Sequence, residues 1–463
     1  MELLHQFTDE LRQLSLPPRV LIAVSGGRDS MALALLCAHA KKQADIKTDF
    51  IAVTVDHGLR EESAAEARRV EGWCTKLGLA HRTIQWNHEG SVPESAVQGR
   101  ARAARYALLC QCADNLDAGA ILTGHTLDDQ AETVWMRLTR GSGPAGLAAM
   151  RRERPVAGRA TGRIRLMRPL LPVRRLALTD YLQKNNQLFI DDPANQNADF
   201  ERVRTRGLLQ ALAARSIVSP SPLAATATRC AVHMDQQAHM LPALAQGIGL
   251  TVHGWGGVSF CAVRWARETA SRRADLAVLA GRILSAVGHP GANLDPPRAM
   301  EAVDAARESG RATLGGCLIE YATDRGSTPM TVYREPAGFF GRETPRNHVS
   351  VLPTDGRMVL WDERFSLRLN GPAPSPGGEW AIKPPANPPS QGLIPAMAAM
   401  TLPHLFGPDL PASGVPLKPG TFDFGANRLS VRCLIAEEIF NPVHRFVIPT
   451  KTADGTADEL SKT

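Results

Sequence analysis

The sequence predicts an α/β fold in which a parallel sheet with helices on both faces is followed by a smaller mixed α+β region. Over residues 20–139, short apolar runs typical of buried strands alternate with longer amphipathic segments typical of helices. Helix-length segments between successive strands indicate parallel pairing. After Ala214 this alternation weakens, which indicates a different architecture for the rest of the chain.

The predicted strands cover residues 20–24, 50–55, 81–86 and 118–123, and the predicted helices cover residues 3–14, 29–42, 61–77, 94–115 and 127–139. In the first helix, Phe7, Leu11 and Leu14 share one face. Ligands of open parallel sheets bind beyond the carboxyl ends of the strands. Residues that follow the predicted strands directly are therefore the first candidates for a functional site.

Two punctuated stretches divide the chain. Residues 216–222 contain Ser-Pro-Ser-Pro, and residues 371–392 contain seven prolines, a composition typical of linkers. Within the middle region, residues 223–247 and 297–309 are predicted helices, and residues 257–263 and 312–321 are strand-like. The predicted organisation is a first domain at 1–215, a helical and mixed middle region at 216–370, a proline-rich linker at 371–392, and a small C-terminal module with a disordered tail at 393–463.

Composition is that of a cytoplasmic enzyme with an acidic partner. The 463 residues are 44% hydrophobic and 21% charged, with a net charge of +7. No apolar run approaches the roughly 20 residues that a membrane-spanning helix needs. Eight cysteines are scattered without a Cys-x-x-Cys pair, so neither a disulfide framework nor a zinc ribbon is indicated.

The segment after the first predicted strand has the composition of a phosphate-binding loop. In Ser25-Gly26-Gly27-Arg28-Asp29-Ser30, two glycines allow backbone N–H groups to point at phosphate oxygens, and the following helix adds its positive end. Asp29 can cap that helix or hold a Mg²⁺ ion. For an isolated Ser-Gly-Gly, a structural turn would be the simpler interpretation. No Gly-Lys pair occurs in the chain, which excludes the kinase-type phosphate loop.

A second group of polar residues opens the helix after the fourth predicted strand. Asp128 and Glu132 share one face of that helix, and Asp129 lies on the next stripe. Acids in a first helical turn also interact favourably with the helix dipole, which is the structural alternative. Beside a phosphate loop, three carboxylates with His125 favour binding of a metal ion or an amine.

Positive charge is concentrated between Arg137 and Arg206, where fifteen Lys and Arg residues face six Asp and Glu residues. A solvated basic face is the simplest interpretation of such a run. Next to a nucleotide site, a nucleic-acid backbone is the favoured partner. The densest part of this block contains Arg151, Arg152, Arg154, Arg159, Arg163 and Arg165.

Residues 141–146 satisfy Gly-x-Gly-x-x-Gly, the dinucleotide-binding pattern. That pattern should follow a strand and open a helix, whereas this one follows a predicted helix, where glycine serves as a cap. We therefore predict no dinucleotide site, and a hydride-transfer enzyme is disfavoured.

The phosphate loop resembles that of the N-type ATP pyrophosphatases, which split ATP into AMP and pyrophosphate. Within that group, the order of motifs resembles the tRNA(Ile)-lysidine synthases over roughly residues 20 to 210. The matching segments are Ser25 to Ser30, Asp56 to Arg60, Arg102 with Arg105-Tyr106, Gly124-His125 with Asp128 to Thr133, Arg140 to Met150, Arg168 to Leu171, Asp192 to Asn195, and Arg202 to Arg206.

The sequence departs from the family pattern at three positions. Thr126 stands where a second histidine is usual, and Val203 and Thr205 replace Asn and Ile of the arginine-rich motif. Beyond residue 214 little matches except Leu314-Gly315-Gly316, so a tRNA-binding C-terminal half is an expectation from the family alone.

The resemblance implies an ATP-dependent ligase that joins L-lysine to C2 of the wobble cytidine of an isoleucine tRNA with a CAU anticodon. The implied cofactors are ATP and Mg²⁺, and a homodimer is compatible with such an enzyme. The resemblance assigns catalysis to Asp29, Asp128, Asp129, Glu132 and Arg206, and ATP binding to Ser25, Gly26, Gly27, Arg28, Asp29, Ser30 and Asp56. It assigns substrate binding to His57, Arg102, Arg105 and His125, and metal binding to Asp29 and Asp129. Which carboxylate binds lysine and which binds Mg²⁺ stays open.

Three alternatives keep part of this evidence. A tRNA thiolation enzyme would share the loop, but those that carry a redox cluster resemble one another in paired Cys-x-x-Cys motifs. Amide-forming relatives such as GMP or NAD synthases leave the arginine-rich block unexplained. A non-catalytic RNA-binding module would bind tRNA in a salt-dependent way without responding to ATP or lysine.

Overall fold

A computed structural model describes most of the chain. The described residues are 2–43, 46–56, 63–86, 97–156, 164–191, 199–288, 294–322, 329–340, 349–352, 354–362, 364–371, 380–385, 396–406, 410, 415–417, 419–424, 427–435 and 439. For residues 97–103, 270, 271, 338, 340, 355–357, 396, 397, 424 and 427 the description covers the backbone only. These residues fall into two compact units, 1–236 and 237–443. Across the described residues, every helix is too short or too polar to cross a bilayer.

The first unit is built on a six-stranded sheet with the strand order β3-β2-β1-β4-β6-β5. All neighbouring pairs are parallel except β5 with β6, which are antiparallel. The strands are β1 (Arg19–Ala23), β2 (Asp49–Asp56), β3 (Ala80–Gln85), β4 (Ala120–Leu122), β5 (Glu153–Val156) and β6 (Ile164–Met167).

Eight helices complete the first unit and cover both faces of the sheet. Along β1, Val20 and Ile22 belong to one apolar cluster and Leu21 belongs to another, because successive side chains of a strand point to opposite faces. The helices are α1 (Glu2–Gln13), α2 (Arg28–Gln43), α3 (Ser63–Lys76), α4 (Val97–Asn115), α5 (Leu127–Leu138), α6 (Pro144–Leu147), α7 (Arg175–Lys184) and α8 (Glu201–Ala214).

The predicted fold class is confirmed, and the nine elements predicted within residues 3–139 are present with ends shifted by a few residues. Five later elements of the first unit were missed: the short α6, the hairpin of β5 and β6, and helices α7 and α8. All of them except α6 contain arginine, which interrupts the apolar periodicity. In α7, for example, Leu178 and Leu182 form a buried stripe, while Arg175 at the start of the helix is also buried.

The sheet order places the candidate site. Strand β1 pairs with β2 on one side and with β4 on the other, so the connections after β1 and β4 leave the sheet in different directions. A crevice at the carboxyl ends of such strands is the usual ligand site of an open parallel sheet. The phosphate loop follows β1, and the segment from Gly124 to the start of α5 follows β4.

The second unit contains three antiparallel sheets with the strand orders β7-β8-β11-β10-β9, β12-β15-β16-β17 and β13-β14-β19-β18. Its strands are β7 (Thr251–Val252), β8 (Val258–Cys261), β9 (Arg311–Leu314), β10 (Cys317–Tyr321), β11 (Pro329–Arg334), β12 (Ser350–Val351), β13 (Asp355–Trp361), β14 (Phe365–Asn370), β15 (Ala381–Lys383), β16 (His404–Phe406), β17 (Val415–Pro416), β18 (Gly420–Phe424) and β19 (Asn427–Cys433). Its helices are α9 (Pro220–Gly247), whose first part belongs to the first unit, α10 (Ala262–Val287), α11 (Pro296–Ser309), α12 (Pro336–Phe340) and α13 (Ala396–Ala399).

In this region the sequence predicted α9 and α11 well and missed α10. The predicted strand at 312–321 is a hairpin, because Gly315 and Gly316 both have positive φ and turn the chain between β9 and β10.

The structure divides the chain differently from the four predicted segments. The boundary between the units falls at residues 236 and 237, inside α9, rather than at residue 215. The predicted linker at 371–392 contains β15, which pairs with β12 and β16. Strand β14 pairs with β19, so one sheet joins the predicted middle region to the predicted C-terminal module. The predicted disordered tail lies outside the described residues.

Substitution of Gly26 tests how tightly the phosphate loop is packed. Gly26 has φ of +82°, and an added Cβ would lie 2.7 Å from Ile190 Cδ1 and 2.8 Å from Val70 Cγ2. We expect Gly26→Ala to lower the free energy of unfolding by about 2–5 kcal/mol, since backbone strain adds to overpacking. Urea denaturation measures this.

Gly78 provides the matched control. Its φ of +76° is similar, but an added Cβ would meet nothing within 4 Å. Gly78→Ala should therefore cost only the backbone strain, about 1–2 kcal/mol. Equal losses in the two variants would contradict close packing around Gly26.

Candidate active site

The phosphate loop is held in shape by its own hydroxyl groups. Ser30 Oγ donates to the carbonyl oxygen of Gly27 at 2.8 Å and accepts from the backbone N–H of Ser25 at 3.1 Å. The hydroxyl oxygens of Ser25 and Ser30 lie 3.2 Å apart. Helix α2 begins directly at Arg28, with the N–H of Met31 bonded to Gly27. The loop therefore presents its backbone at the positive end of a buried helix, which suits it to bind an anion.

Two glycines bring neighbouring segments against this loop. The carbonyl oxygen of Gly26 accepts from the N–H of Ile190 at 2.8 Å, and a Cβ on Gly26 would clash with that side chain. A Cβ on Gly124 would lie 2.9 Å from the carbonyl oxygen of Asp29. The end of β4 thus touches the backbone of the phosphate loop, and only glycine permits that approach.

Arg175 joins the phosphate loop to the acidic helix α5. Its Nε donates to Asp29 Oδ2 at 3.2 Å, one terminal nitrogen donates to Glu132 Oε1 at 3.2 Å, and the other donates to Asp129 Oδ1 at 2.7 Å. One guanidinium therefore contacts three carboxylates from two elements, which is the planar recognition that distinguishes arginine from lysine.

Two arginines of α8 reach the same carboxylates. Arg202 Nε donates to Glu132 Oε2 at 2.8 Å, and one of its terminal nitrogens donates to Asp129 Oδ1 at 3.0 Å. Arg206 Nε donates to Glu132 Oε1 at 2.8 Å. Glu132 is buried, and three arginines surround it.

Asp128 points away from this group and holds the start of α7. Its Oδ2 accepts from the backbone N–H of Arg175 at 2.7 Å, and its carboxylate pairs with Arg174. A carboxylate at a helix N-terminus satisfies an otherwise unpaired donor. Asp128 therefore orients the helix whose first side chain is Arg175.

Thr126 and His125 form the entry to α5. Thr126 is the N-cap, with a capping box in which the Asp129 side chain accepts from the Thr126 backbone N–H at 2.8 Å. His125 Nδ1 lies 2.9 Å from Thr123 Oγ1. The residue that replaces the usual second histidine thus has a structural role here.

Burial and neighbouring charge move the pKa values of the two acids in opposite directions. Burial raises the pKa of Asp29 and the nearby Asp129 raises it further, while Arg175 offsets only part of this. Burial would also raise the pKa of Asp129, but Arg175 and Arg202 outweigh it and hold that pKa at about 2. Asp129 is therefore ionised near neutral pH, whereas the surroundings of Asp29 disfavour its ionised form.

The other predicted site residues lie on β2 and α4 or outside the described residues. Asp56 ends β2 and accepts a hydrogen bond from Ser63 Oγ. Arg105 is half-buried on α4. His57 and the side chain of Arg102 lie outside the described residues. Among the described residues, no group of three or more His, Cys, Asp or Glu side chains is arranged to hold a metal ion alone.

Much of the basic block is bound within the protein. Arg151 pairs with Asp235, and Arg152 pairs with Glu10. Arg165 donates to the backbone carbonyls of Leu14 and Ser15. Arg159 and Arg163 lie outside the described residues. Arg151, Arg152 and Arg165 therefore fix the β5–β6 hairpin and its flanking residues to their surroundings. Counting charges in the sequence does not distinguish this role from that of a nucleic-acid surface.

The glycine pattern at residues 141–146 follows α5 directly, as predicted. Gly141 has φ of +71°, and its N–H bonds back to Leu138 at the end of that helix. Gly143 then caps the short α6. The pattern here ends one helix and begins another.

Comparison with known proteins places the chain in a family. Residues 3–212 match the PP-loop domain family. A tRNA(Ile)-lysidine synthase of Rhizobium meliloti (strain 1021) is 36% identical over 379 residues, which is 78% of this chain and 76% of that relative. The chain belongs to the tRNA(Ile)-lysidine synthase family.

Other relatives match shorter stretches of the chain. A tRNA(Ile)-lysidine synthase of Rhodopseudomonas palustris (strain ATCC BAA-98 / CGA009) is 48% identical over 197 residues, covering 42% of this chain and 55% of that relative. One of Ruegeria pomeroyi (strain ATCC 700808 / DSM 15171 / DSS-3) is 36% identical over 309 residues, or 65% of this chain and 69% of that relative.

Sequence reasoning missed the arginines that organise the site of this tRNA(Ile)-lysidine synthase family member. Arg174 and Arg175 were counted only as part of the basic block, and Arg202 was matched to a family motif without a role. The signal that could have identified Arg175 was its position at the start of α7, directly before the apolar stripe. Arg175 is buried there, and a buried charged residue needs several anionic partners.

Because the pKa values of Asp129 and Asp29 shift in opposite directions, replacing each with the isosteric asparagine should affect the free energy of unfolding differently. Because the pKa of Asp129 falls from 3.8 to about 2 on folding, its ionised form contributes about 2 kcal/mol above pH 4, and this is lost as pH falls towards 2. Asp129→Asn should lose at least this amount at pH 7, measured by urea denaturation. The difference from wild type should shrink between pH 4 and pH 2.

For Asp29 the sign is reversed. A raised pKa means that ionisation of Asp29 costs folding free energy at pH values above its unfolded pKa. Asp29→Asn should therefore be neutral or stabilising at pH 7. A loss as large as that of Asp129→Asn would overturn this electrostatic description of the site.

Proposed function

We propose that the protein joins L-lysine to C2 of the wobble cytidine of isoleucine tRNA with a CAU anticodon, converting ATP to AMP and pyrophosphate. The observation that supports the proposal is the triple contact of Arg175, which links Asp29 of the phosphate loop to the carboxylates of Asp129 and Glu132. A reaction between an ATP-activated group and a cationic amine needs both features side by side.

The phosphate loop supplies the activation half of the reaction. Residues 25–30 would bind the ATP phosphates through backbone N–H groups and the hydroxyls of Ser25 and Ser30, with Arg28 adding charge. Asp29 is suited to hold Mg²⁺, because its hydrogen bonds to Arg28 and Arg175 are long, at 3.3 and 3.2 Å. Mg²⁺ is commonly held by one or two carboxylates together with phosphates, and it would neutralise charge on them.

Activation is required because a ring carbonyl oxygen is a poor leaving group. In the proposed first step, O2 of the cytidine attacks the α-phosphate and pyrophosphate leaves. In the second step, the lysine ε-amine attacks C2, the C–O bond breaks, and AMP leaves with that oxygen. Because the ε-amine arrives as an ammonium ion, it must lose a proton to a base or to solvent before it can attack C2.

The acidic helix supplies the amine half. A free lysine ε-amine has a pKa of about 10.4 and arrives as an ammonium ion. Asp129 and Glu132 are the candidate partners, since Asp129 stays ionised down to about pH 2 and Glu132 is buried beside it. Asp128 is engaged at the start of α7, so we assign it to positioning Arg175.

The tRNA side of the site is assigned to residues at its edge. Arg105 on α4 and His125 at the start of α5 would lie near the target base, with His57 and Arg102 completing the set. Arg206 would contribute positive charge near the reacting phosphate. The cytidine must leave the anticodon stack, which is easier in a single-stranded loop than in a duplex. Such an enzyme would act where tRNA is matured, in the cytoplasm.

Two of the buried cysteines are unsuited to the chemistry that the thiolation alternative would need. Burial raises the pKa of Cys74 and Cys110 to about 12, so these thiols are poorly suited to form a nucleophilic thiolate near neutral pH.

Transfer of labelled L-lysine tests the proposal directly. With ATP, Mg²⁺ and unmodified CAU-anticodon isoleucine tRNA, the wild type should incorporate lysine and release one AMP per lysine. Asp29→Ala should lose both signals, because Asp29 belongs to the phosphate loop. AMP release without incorporation would retain the adenylating fold and refute lysine as the nucleophile.

A second experiment separates the roles of the carboxylates. Removing a charged hydrogen-bond partner typically costs about 1.5–3 kcal/mol, so Glu132→Gln should raise the lysine KM about 10- to 100-fold, with a smaller effect on the ATP KM. Asp128→Asn, the matched control, should leave the lysine KM close to wild type because Asn also caps helices. Similar lysine KM values for Glu132→Gln and wild type would remove Glu132 from the lysine site.

A further inference from the structure

Most acceptor positions of the two carboxylates assigned to lysine are occupied by arginines and by Thr126. An ionised carboxylate offers about four acceptor positions. Among the described residues, Asp129 accepts four hydrogen bonds, from Arg175, Arg202 and twice from Thr126. Glu132 accepts three, from Arg175, Arg202 and Arg206. An ammonium ion brings three donors and no acceptor. The two carboxylates therefore offer it too few acceptor positions in this arrangement.

Departure of Arg202 would solve this shortage. Arg202 donates once to Asp129 and once to Glu132. Its departure would free one position on each carboxylate. Glu132 has a further position, since three donors reach it within the described part of the chain. The three positions together match the three N–H donors of one ammonium ion. Arg202 thus occupies the place where a cation bridges Asp129 and Glu132.

The arginines differ in how firmly they are held. The side chain of Arg175 is 11% exposed, and its guanidinium is held by three carboxylates. The side chains of Arg202 and Arg206 are 37% and 27% exposed, and both come from α8. We call Arg202 and Arg206 the α8 arginines. They have access to solvent and can turn to another anion, whereas Arg175 is fixed.

ATP would provide that other anion. Arginine binds phosphate oxygens in the same forked manner as carboxylates. The phosphate loop lies next to the cluster, since Arg175 contacts Asp29 and the two carboxylates together. A polyphosphate on the loop would therefore compete for the α8 arginines.

On this basis, which rests on the proposed function, we propose that the α8 arginines hold the lysine site closed until nucleotide binds. ATP draws them towards its phosphates, and the ammonium of lysine then replaces Arg202 between Asp129 and Glu132. ATP and lysine consequently bind cooperatively. In the absence of both ligands, Asp129 and Glu132 stay paired with arginines. Because coupling between two ligands is reciprocal, lysine must tighten nucleotide binding by the same factor.

Equilibrium dialysis of labelled L-lysine against the full chain with unmodified CAU-anticodon tRNA tests the coupling. The probe nucleotide is α,β-methylene ATP, whose α–β linkage cannot be cleaved, so the chemistry stops before transfer. For the wild type, the analogue should lower the lysine Kd by about 5- to 150-fold. Lysine should lower the Kd of the analogue by an equal factor, because the coupling free energy is the same in both directions.

Arg202→Gln should bind lysine tightly without the analogue, and the effect of the analogue should then largely disappear. Arg204→Gln is the matched control, because Arg204 lies on the same helix, is exposed, and donates to the carbonyl oxygen of Asp199 instead. It should keep the wild-type coupling. Arg202→Lys retains the charge without the fork and should give an intermediate Kd, so it serves in place of Arg202→Gln if that variant does not fold.

Equal lysine affinity of the wild type with and without the analogue would overturn the proposal. Weaker lysine binding by Arg202→Gln in both conditions would also overturn it, since Arg202 would then help to bind lysine. Failure of the proposed function gives a different result, because the wild type would then transfer no lysine to the tRNA. Transfer of lysine without coupling to the analogue would contradict only the proposed role of the α8 arginines.

Discussion

The guanidinium of Arg175 is the interaction on which the arrangement of the site depends. It contacts Asp29 of the phosphate loop and both Asp129 and Glu132 of α5. Arg175 is also the first residue of α7, and its backbone N–H donates to the side chain of Asp128. Without the guanidinium, three buried or half-buried carboxylates would face one another with less compensation, and burial of unpaired charge is costly. The α8 arginines add to this compensation from a more exposed position.

The close packing of like charges explains why the surroundings favour the ionised form of Asp129 and disfavour that of Asp29. Asp129 gains from its arginines and is held as an anion, while Asp29 is charged at some cost. A carboxylate whose ionised form is disfavoured gains most when a cation arrives. The same local structure can therefore stabilise α5 permanently and leave Asp29 with unused capacity for a metal ion.

The first half of the fold could be predicted because its signals are local. Apolar strands, the glycines of the phosphate loop and the acids of α5 lie within short windows, and parallel-sheet geometry then brings Ser25 and Gly124 to the same edge. Arg175 could not be assigned, because its partners lie 43 to 146 residues away. The second unit was harder for the same reason: β14 pairs with β19 across a proline-rich segment that looks like a linker.

The position of α8 in the chain has a consequence for how the site is assembled during synthesis. Arg206 and Glu132 are 74 residues apart, and α8 is the last helix to reach the cluster. A nascent chain that has released only its first 190 or so residues already contains the phosphate loop and all four acids, but Arg175 is then the single arginine available to Glu132. The acids would repel one another in that intermediate. The cluster of acids and arginines is thus completed, and its charge balanced, only when the first unit has been made almost in full.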